Sequence, residues 1–204
     1  MNRFIAKEGW TVVFTLLGLL LLVWIFWGFS FILLLAFLAF LFLFRASKPY
    51  LVCNDEKAIL APIDGRITRI ENAYYEDFGE CLELNIKNAF YDCGSLSAPI
   101  KMQFEKLTLR HGLFLCSELE VAKKMNERMI IRAFAGDKSI IMRICAGSLD
   151  RKLKLMNNPH HLNAGDKMGF LLNGSISLLL PKDTRVHVGL NDEIKAGSLL
   201  AYLS

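Results

Sequence analysis

From Trp10 to Phe44 the chain runs without a single charged residue. As one straight helix rising about 1.5 Å per residue, this run would be roughly 50 Å long. A bilayer's hydrocarbon core is only about 30 Å thick. Two short helices folded back on each other resolve the mismatch. Trp27-Gly28-Phe29-Ser30 supplies the break, since glycine relaxes the backbone and Trp24 and Trp27 suit a membrane interface. We therefore expect an N-terminal transmembrane helical hairpin, residues 10–27 and 29–44, inside a membrane anchor covering residues 1–50. Arg3 and Lys7 precede the run and Arg45 and Lys48 follow it. The positive-inside rule then puts both ends, and all that follows, on the cytoplasmic side of the cell (inner) membrane. A single tilted span and a hairpin lying in one leaflet are the alternatives. A cleaved signal peptide is disfavoured, because the apolar core far exceeds about 7–15 residues and no small-residue cleavage site follows.

Residues 51–204 fit one separate soluble domain of about 150 residues. Lys and Arg number 24 against 20 Asp and Glu, a net charge of +4, which is a mild surplus. Nucleic acid is excluded as a natural partner on that balance, and anionic lipid headgroups fit it better. Lys101, Lys106, Arg110, Lys123, Lys124, Arg128 and Arg132 could face such headgroups, although Glu105, Glu118, Glu120 and Glu127 lie among them. The five cysteines, Cys53, Cys81, Cys93, Cys116 and Cys145, are odd in number and never form a Cys-x-x-Cys pair. Neither a disulfide framework nor a zinc site is indicated, no metal is expected, and a reducing compartment fits.

The domain reads as mainly β. Ala58–Ala61, Gly65–Ile70, Cys81–Ile86, Ser139–Cys145 and Ser175–Leu180 look like short strands between turn residues. Gly-centred turns at 163–166 and 195–198 precede the apolar stretches Met168–Leu172 and Leu199–Leu203. Ala61–Ile67 early and Ile194–Leu200 late form the pair expected of a barrel-sandwich-hybrid-like fold. A lipoyl or biotinyl carrier would also need a lysine in a suitable motif at an exposed hairpin tip, and none is convincing.

Several segments, in order, carry a resemblance. They are Ala61-Pro62-Ile63-Asp64-Gly65, Asn126-Glu127-Arg128, Arg143-Ile144-Cys145-Ala146-Gly147, Gly165-Asp166-Lys167-Met168-Gly169-Phe170, Gly174-Ser175 and Leu180-Pro181. Together they resemble the short form of phosphatidylserine decarboxylase over nearly the whole soluble domain. The resemblance implies a proenzyme that cuts itself between residues 174 and 175, leaving chains 1–174 and 175–204. Ser175 becomes the precursor of a covalent pyruvoyl cofactor, Gly174 gives the cleaved carbonyl, and Asp64 assists as acid or base. It further implies a lyase of phospholipid biosynthesis, decarboxylating phosphatidylserine to phosphatidylethanolamine, with membrane phospholipid as substrate. From the residues alone, Gly174-Ser175 also reads as an ordinary turn, and Asp64 as a turn former before Gly65. A homodimer is left open.

One segment departs from the family pattern. Where the short forms carry a D-V-H-x-N-R-A-P-like run, this chain has Asp92-Cys93-Gly94-Ser95-Leu96-Ser97-Ala98-Pro99, with Gly94 at the histidine position and Ser97 at the arginine position. General acid–base help of the kind such a histidine gives is worth about 10²–10⁴-fold. Of the remaining histidines, His160 and His161 follow the loop-like Asn157-Asn158-Pro159, and His187 reads as a hydrogen-bonded structural residue in a strand over Thr184–Val188. Their spacing, and that of His111, does not identify a substitute. The second expectation is accordingly a catalytically silent relative that binds lipid or regulates another phospholipid enzyme.

Overall fold

The computed structural model describes Ile5, Ala6 and residues 9–46, 48–53, 55–75, 78–116, 121–148, 153 and 160–204, with Trp27, Lys123 and Lys124 as backbone only. The expectations resting on Arg3, Lys7, Glu118, Glu120 and Asn157-Asn158-Pro159 fall outside the described residues. The chain divides into two compact units, Met1–Ser47 and Lys48–Ser204.

The first unit holds two helices, α1 (Trp10–Trp27) and α2 (Phe31–Leu43). Gly28 ends α1 at φ 91°, a conformation that glycine takes without a Cβ clash, and its N–H donates to Trp24 O at 3.2 Å. Ser30 is extended and caps α2, so the second helix starts at Phe31 and ends at Leu43 rather than covering 29–44. The two ends of the hairpin meet where Ala6 N–H donates to Phe44 O at 2.8 Å. Among the described residues no helix is long and apolar enough to cross a membrane. At about 1.5 Å per residue, α1 is ~27 Å long and α2 ~20 Å, against a core of about 30 Å. The described helices form a hairpin, and neither meets that length and apolarity.

The second unit is mainly β. Its strands are β1 (Ala58–Leu60), β2 (Gly65–Tyr75), β3 (Gly79–Lys87), β4 (Ser95–Ser97), β5 (Met102–Arg110), β6 (Arg128–Ala135) and β7 (Lys138–Cys145). They continue as β8 (His161–Leu162), β9 (Lys167–Phe170), β10 (Ser175–Pro181), β11 (Arg185–Val186), β12 (Glu193–Ile194) and β13 (Leu199–Tyr202). One short helix, α3 (Ala122–Met125), precedes β6. The main sheet has eight strands in the order β12-β2-β3-β10-β7-β6-β5-β8, and smaller sheets are β1-β13-β11 and β4-β9.

Alternation along the strands decides which face is core. Ile176, Leu178 and Leu180 of β10 point the same way as Leu82, Leu84 and Ile86 of β3 and Met142 and Ile144 of β7, and all are buried in one cluster. Each such side chain contributes about 1.5–3 kcal/mol when removed from water. Ser175, Ser177 and Leu179 take the opposite, outer face of the same strand. The early and late turns are sewn together: Ala61 N–H donates to Ser198 O at 2.8 Å, and Gly197 N–H to Ala61 O at 2.9 Å.

Candidate active site

Ser175 is the first residue of β10, flanked by Lys87 of β3 and Cys145 of β7, and it is buried. Asn173 precedes it in the left-handed region at φ 53°, which asparagine tolerates better than most residues. This kink turns the chain sharply into the strand. Gly174 sits where a Cβ would come within 2.5 Å of Cys145 O and 2.7 Å of Leu171 Cδ1, so only glycine fits.

Asn88, which sequence reasoning passed over, organises the turn. It is fully buried just beyond the end of β3. Its main-chain N–H donates to Gly174 O at 3.0 Å, and its side-chain Oδ1 accepts from Asn173 N–H at 3.1 Å. Its Nδ2 donates to Asp64 O at 2.9 Å and Cys93 O at 3.4 Å. One side chain therefore ties the Gly174 turn to the Asp64 loop and to the segment before Gly94. A buried polar residue whose bonds all run to backbone gives no sequence pattern beyond a lone Asn after a strand.

Asp64 is buried, and its carboxylate faces the late turn. Oδ1 accepts from Ala196 N–H at 2.8 Å, and Oδ2 lies 3.6 Å from Lys195 Nζ. It reaches the Gly174 turn through Asn88 and its own carbonyl, not by a carboxylate bond to Ser175.

The Asn126-Glu127 motif braces the other side. Asn126 Nδ2 donates to Leu115 O and Ala146 O, both at 2.8 Å, and its Oδ1 accepts from Leu115 N–H at 2.9 Å. Glu127 accepts from Leu153 N–H at 2.8 Å and lies 3.1 Å from His111 Nδ1. Both residues are buried and hold the end of β7 that pairs with Ser175.

The departure segment has its own packing. A Cβ on Gly94 would come within 2.5 Å of Leu171 O and 2.9 Å of the Phe170 ring, leaving no room there for a histidine. Ser97 is buried, and its Oγ donates to Pro62 O at 3.1 Å. Among the described residues no histidine bonds the Ser175 hydroxyl: His111 meets Glu127, and His160 and His161 are exposed beside β5. His187 lies just past β11, which covers only Arg185–Val186. Its ring is exposed and edge-on to Tyr202 at 5.3 Å. A groove of about 600 Å³ lined by Lys57, Lys101, Gln103, Lys138 and His161 includes neither Gly174, Ser175 nor Asp64.

Beyond Ser175 the outer face carries a polar cluster. Asn85 Nδ2 donates to Ser177 Oγ at 2.7 Å and Thr68 Oγ1 donates to Asn85 Oδ1 at 2.6 Å. Tyr75 donates to Glu83 at 2.6 Å and lies under the Arg143 guanidinium, 4.9 Å from the ring centroid. Burial, then the bond to Glu83, pushes the Tyr75 hydroxyl above its ordinary value, and burial followed by the Glu83 charge does the same for the Cys81 thiol.

The family model for phosphatidylserine decarboxylase matches residues 37–202. The chain belongs to the phosphatidylserine decarboxylase family. It is 29% identical over 210 residues to the phosphatidylserine decarboxylase proenzyme of Burkholderia mallei, covering 96% of this chain and 93% of that protein. The proenzyme of Desulfotalea psychrophila is 28% identical over 177 residues, 84% of this chain and 82% of that one. That of Neisseria meningitidis serogroup C is 27% identical, covering 97% and 78%. No solved structure matches the chain. This chain has a glycine–serine pair in a tight turn and no side-chain space at residue 94.

Proposed function

We propose that this chain cuts itself between Gly174 and Ser175 and acts as a pyruvoyl-dependent phosphatidylserine decarboxylase. The observation that carries this reading is the Asn88 N–H aimed at the Gly174 carbonyl at 3.0 Å, in a cradle that admits no Cβ at residue 174. In the first step Ser175 Oγ attacks the Gly174 carbonyl carbon, and charge develops on the oxygen that Asn88 already holds. The acyl group passes from nitrogen to oxygen, giving an ester. Loss of the Ser175 α-proton then expels Gly174 as a carboxylate. Water releases ammonia from the resulting dehydroalanine and leaves the pyruvoyl group at the start of residues 175–204. Once formed, that group supplies an electron sink for loss of carbon dioxide from an amino acid headgroup. Asn88, Asn173 and the Asn126 brace position the turn, and Asp64 secures the adjoining loop by its bond to Ala196.

Membrane residence and a phospholipid substrate belong to the same proposal. Ile25 and Ile32 are 73% and 80% exposed in a hairpin with no polar face, as a segment surrounded by lipid would be. The cytoplasmic side follows from Arg45 and Lys48 after the hairpin. The pairing of Ala61 with Gly197 and Ser198 supports the barrel-sandwich-like reading of the domain.

A second reading is favoured by Gly94 and Ser97: a family member that keeps the fold and does not cut itself, serving as a lipid-binding or regulatory partner. Intact-mass measurement of detergent-purified protein beside Ser175→Ala separates the two. Cleavage after Gly174 in the wild type only, with the small chain lighter than a serine-started one by the mass of ammonia, supports the decarboxylase. A wild type that stays whole after incubation with phosphatidylserine leaves the non-catalytic reading.

A further inference from the structure

Asn173-Gly174 is the one place in the chain where an asparagine is followed by glycine. Asparagine is among the thermally labile residues, because the main-chain nitrogen of the next residue can attack its side-chain carbonyl carbon. A Cβ on that next residue hinders the attack, and glycine has none. The pair also forms the turn that leads into Ser175 at the start of β10.

The fold leaves the attacking nitrogen unengaged. Gly174 is buried, and its carbonyl is held by Asn88, yet its N–H has no hydrogen-bond partner among the described residues. Buried main-chain N–H groups are nearly always paired, so this one is unusual. Attack by it disrupts no hydrogen bond that the N–H makes. On the other side of the reaction, Asn173 is half-buried, and its Nδ2 donates to Ser148 Oγ at 3.1 Å and to Cys116 Sγ at 3.7 Å. Ser148 is exposed, so the nitrogen that must leave lies beside a hydroxyl in contact with water.

Asn191 shows what the turn adds. It has the same left-handed backbone, φ 68° against 53° for Asn173, and is the more exposed of the two. The residue after it, Asp192, has a side chain, and its N–H already donates to Gly189 O at 3.4 Å. Both conditions met at Asn173 fail there.

We infer that Asn173 is a site of spontaneous deamidation that competes with self-cleavage for the same turn. Gly174 N bonds to Asn173 Cγ and gives up its proton, the Cγ–Nδ2 bond breaks, and the side-chain nitrogen leaves as ammonia with that proton. The five-membered imide takes up one water. Opening at Cγ gives aspartate, and opening at the main-chain carbonyl gives isoaspartate. Isoaspartate lengthens the main chain by one atom immediately before Gly174, which carries the Gly174 carbonyl away from Asn88 N–H. Such a chain stays whole. The competition rests on the self-cleavage reading, whereas the deamidation does not.

The test uses the full-length Ser175→Ala chain in detergent, which cannot form the ester. It is kept folded in warm, mildly alkaline buffer made with heavy-oxygen water, and its peptides are mapped by mass over time. The expected result is replacement of the Asn173 amide nitrogen by one heavy oxygen, several-fold sooner than at Asn191, in a chain whose thermal melting shows it still folded. A sample unfolded in urea reads the reactivity of the bare sequence. Conversion at residue 173 in urea and none in the folded chain overturns the inference, since the fold then protects the pair. Conversion at Asn191 as fast as at Asn173 overturns it as well. The wild type tests the competition: the remainder that has not cut itself is expected to be enriched in isoaspartate at residue 173, and a remainder with intact Asn173 overturns that part. A wild type that never cuts, while the Ser175→Ala chain still loses its amide, removes the self-cleavage reading and the competition together and leaves the deamidation site standing.

Discussion

The main-chain N–H of Asn88 donates to the carbonyl oxygen of Gly174 at 3.0 Å, while the Asn88 side chain holds the residue before that glycine. The bond the chain would cut is thus fastened to β3 by a residue outside every motif that marks the family resemblance.

Replacing Asn88 with Ala removes its side-chain bonds to Asn173 N–H, Asp64 O and Cys93 O. Each unpaired buried group costs about 1–3 kcal/mol. We expect a lower melting temperature and, because the amide then loses its aim at Gly174 O, cleavage slowed by about 10²–10³-fold. Time-resolved intact mass read beside thermal melting checks both. Unchanged cleavage in a folded variant would remove Asn88 from the positioning of the turn.

Gly94→His, the residue that the resemblance implies at this position, meets Leu171 O, 2.5 Å from where its Cβ would lie, and the Phe170 ring. Overpacking of this kind typically costs about 1–3 kcal/mol. The expected outcome is a destabilised protein with no gain in cleavage. A variant that melts like the parent and cuts faster would mean that the loop can open to admit the side chain.

Lys138, then Ser204, holds the Asp183 carboxyl down at about 2, below its ordinary 3.8. A depressed folded value stabilises above the ordinary one, and that contribution is lost as pH falls from 3.8 through about 2. Asp183→Asn should flatten the fall in melting temperature across that window and leave it unchanged near neutral pH apart from a constant offset. An identical acid profile in the variant would mean that this exposed pair contributes nothing measurable.

Cys81, Cys93 and Cys145 are buried and Cys53 and Cys116 half-buried, and none is in a disulfide. Because Cys81 is also held protonated by burial and the Glu83 charge, a maleimide at neutral pH should modify Cys53 and Cys116 first and Cys81 only after unfolding. Peptide mapping of the modified protein reads the order. Early labelling of Cys81 would show the outer face opening in the native state.

The sequence by itself determined the charge-free hairpin with its break at Gly28, the core strands such as β3, β7 and β10, and the Gly174-Ser175 pair, because each depends on residues close together in the chain. Local pattern also set Gly94 and Ser97 where the resemblance implies a histidine and an arginine. Tertiary structure decided the rest. Ser30, extended at the N-cap position, starts α2 at Phe31 rather than at residue 29. Asp64 turned its carboxylate to Ala196, a residue brought beside it only by the pairing of the early and late turns. Asn88 gained its partners from strand order and register. Register joins residues far apart in sequence through backbone hydrogen bonds, which carry no side-chain signature.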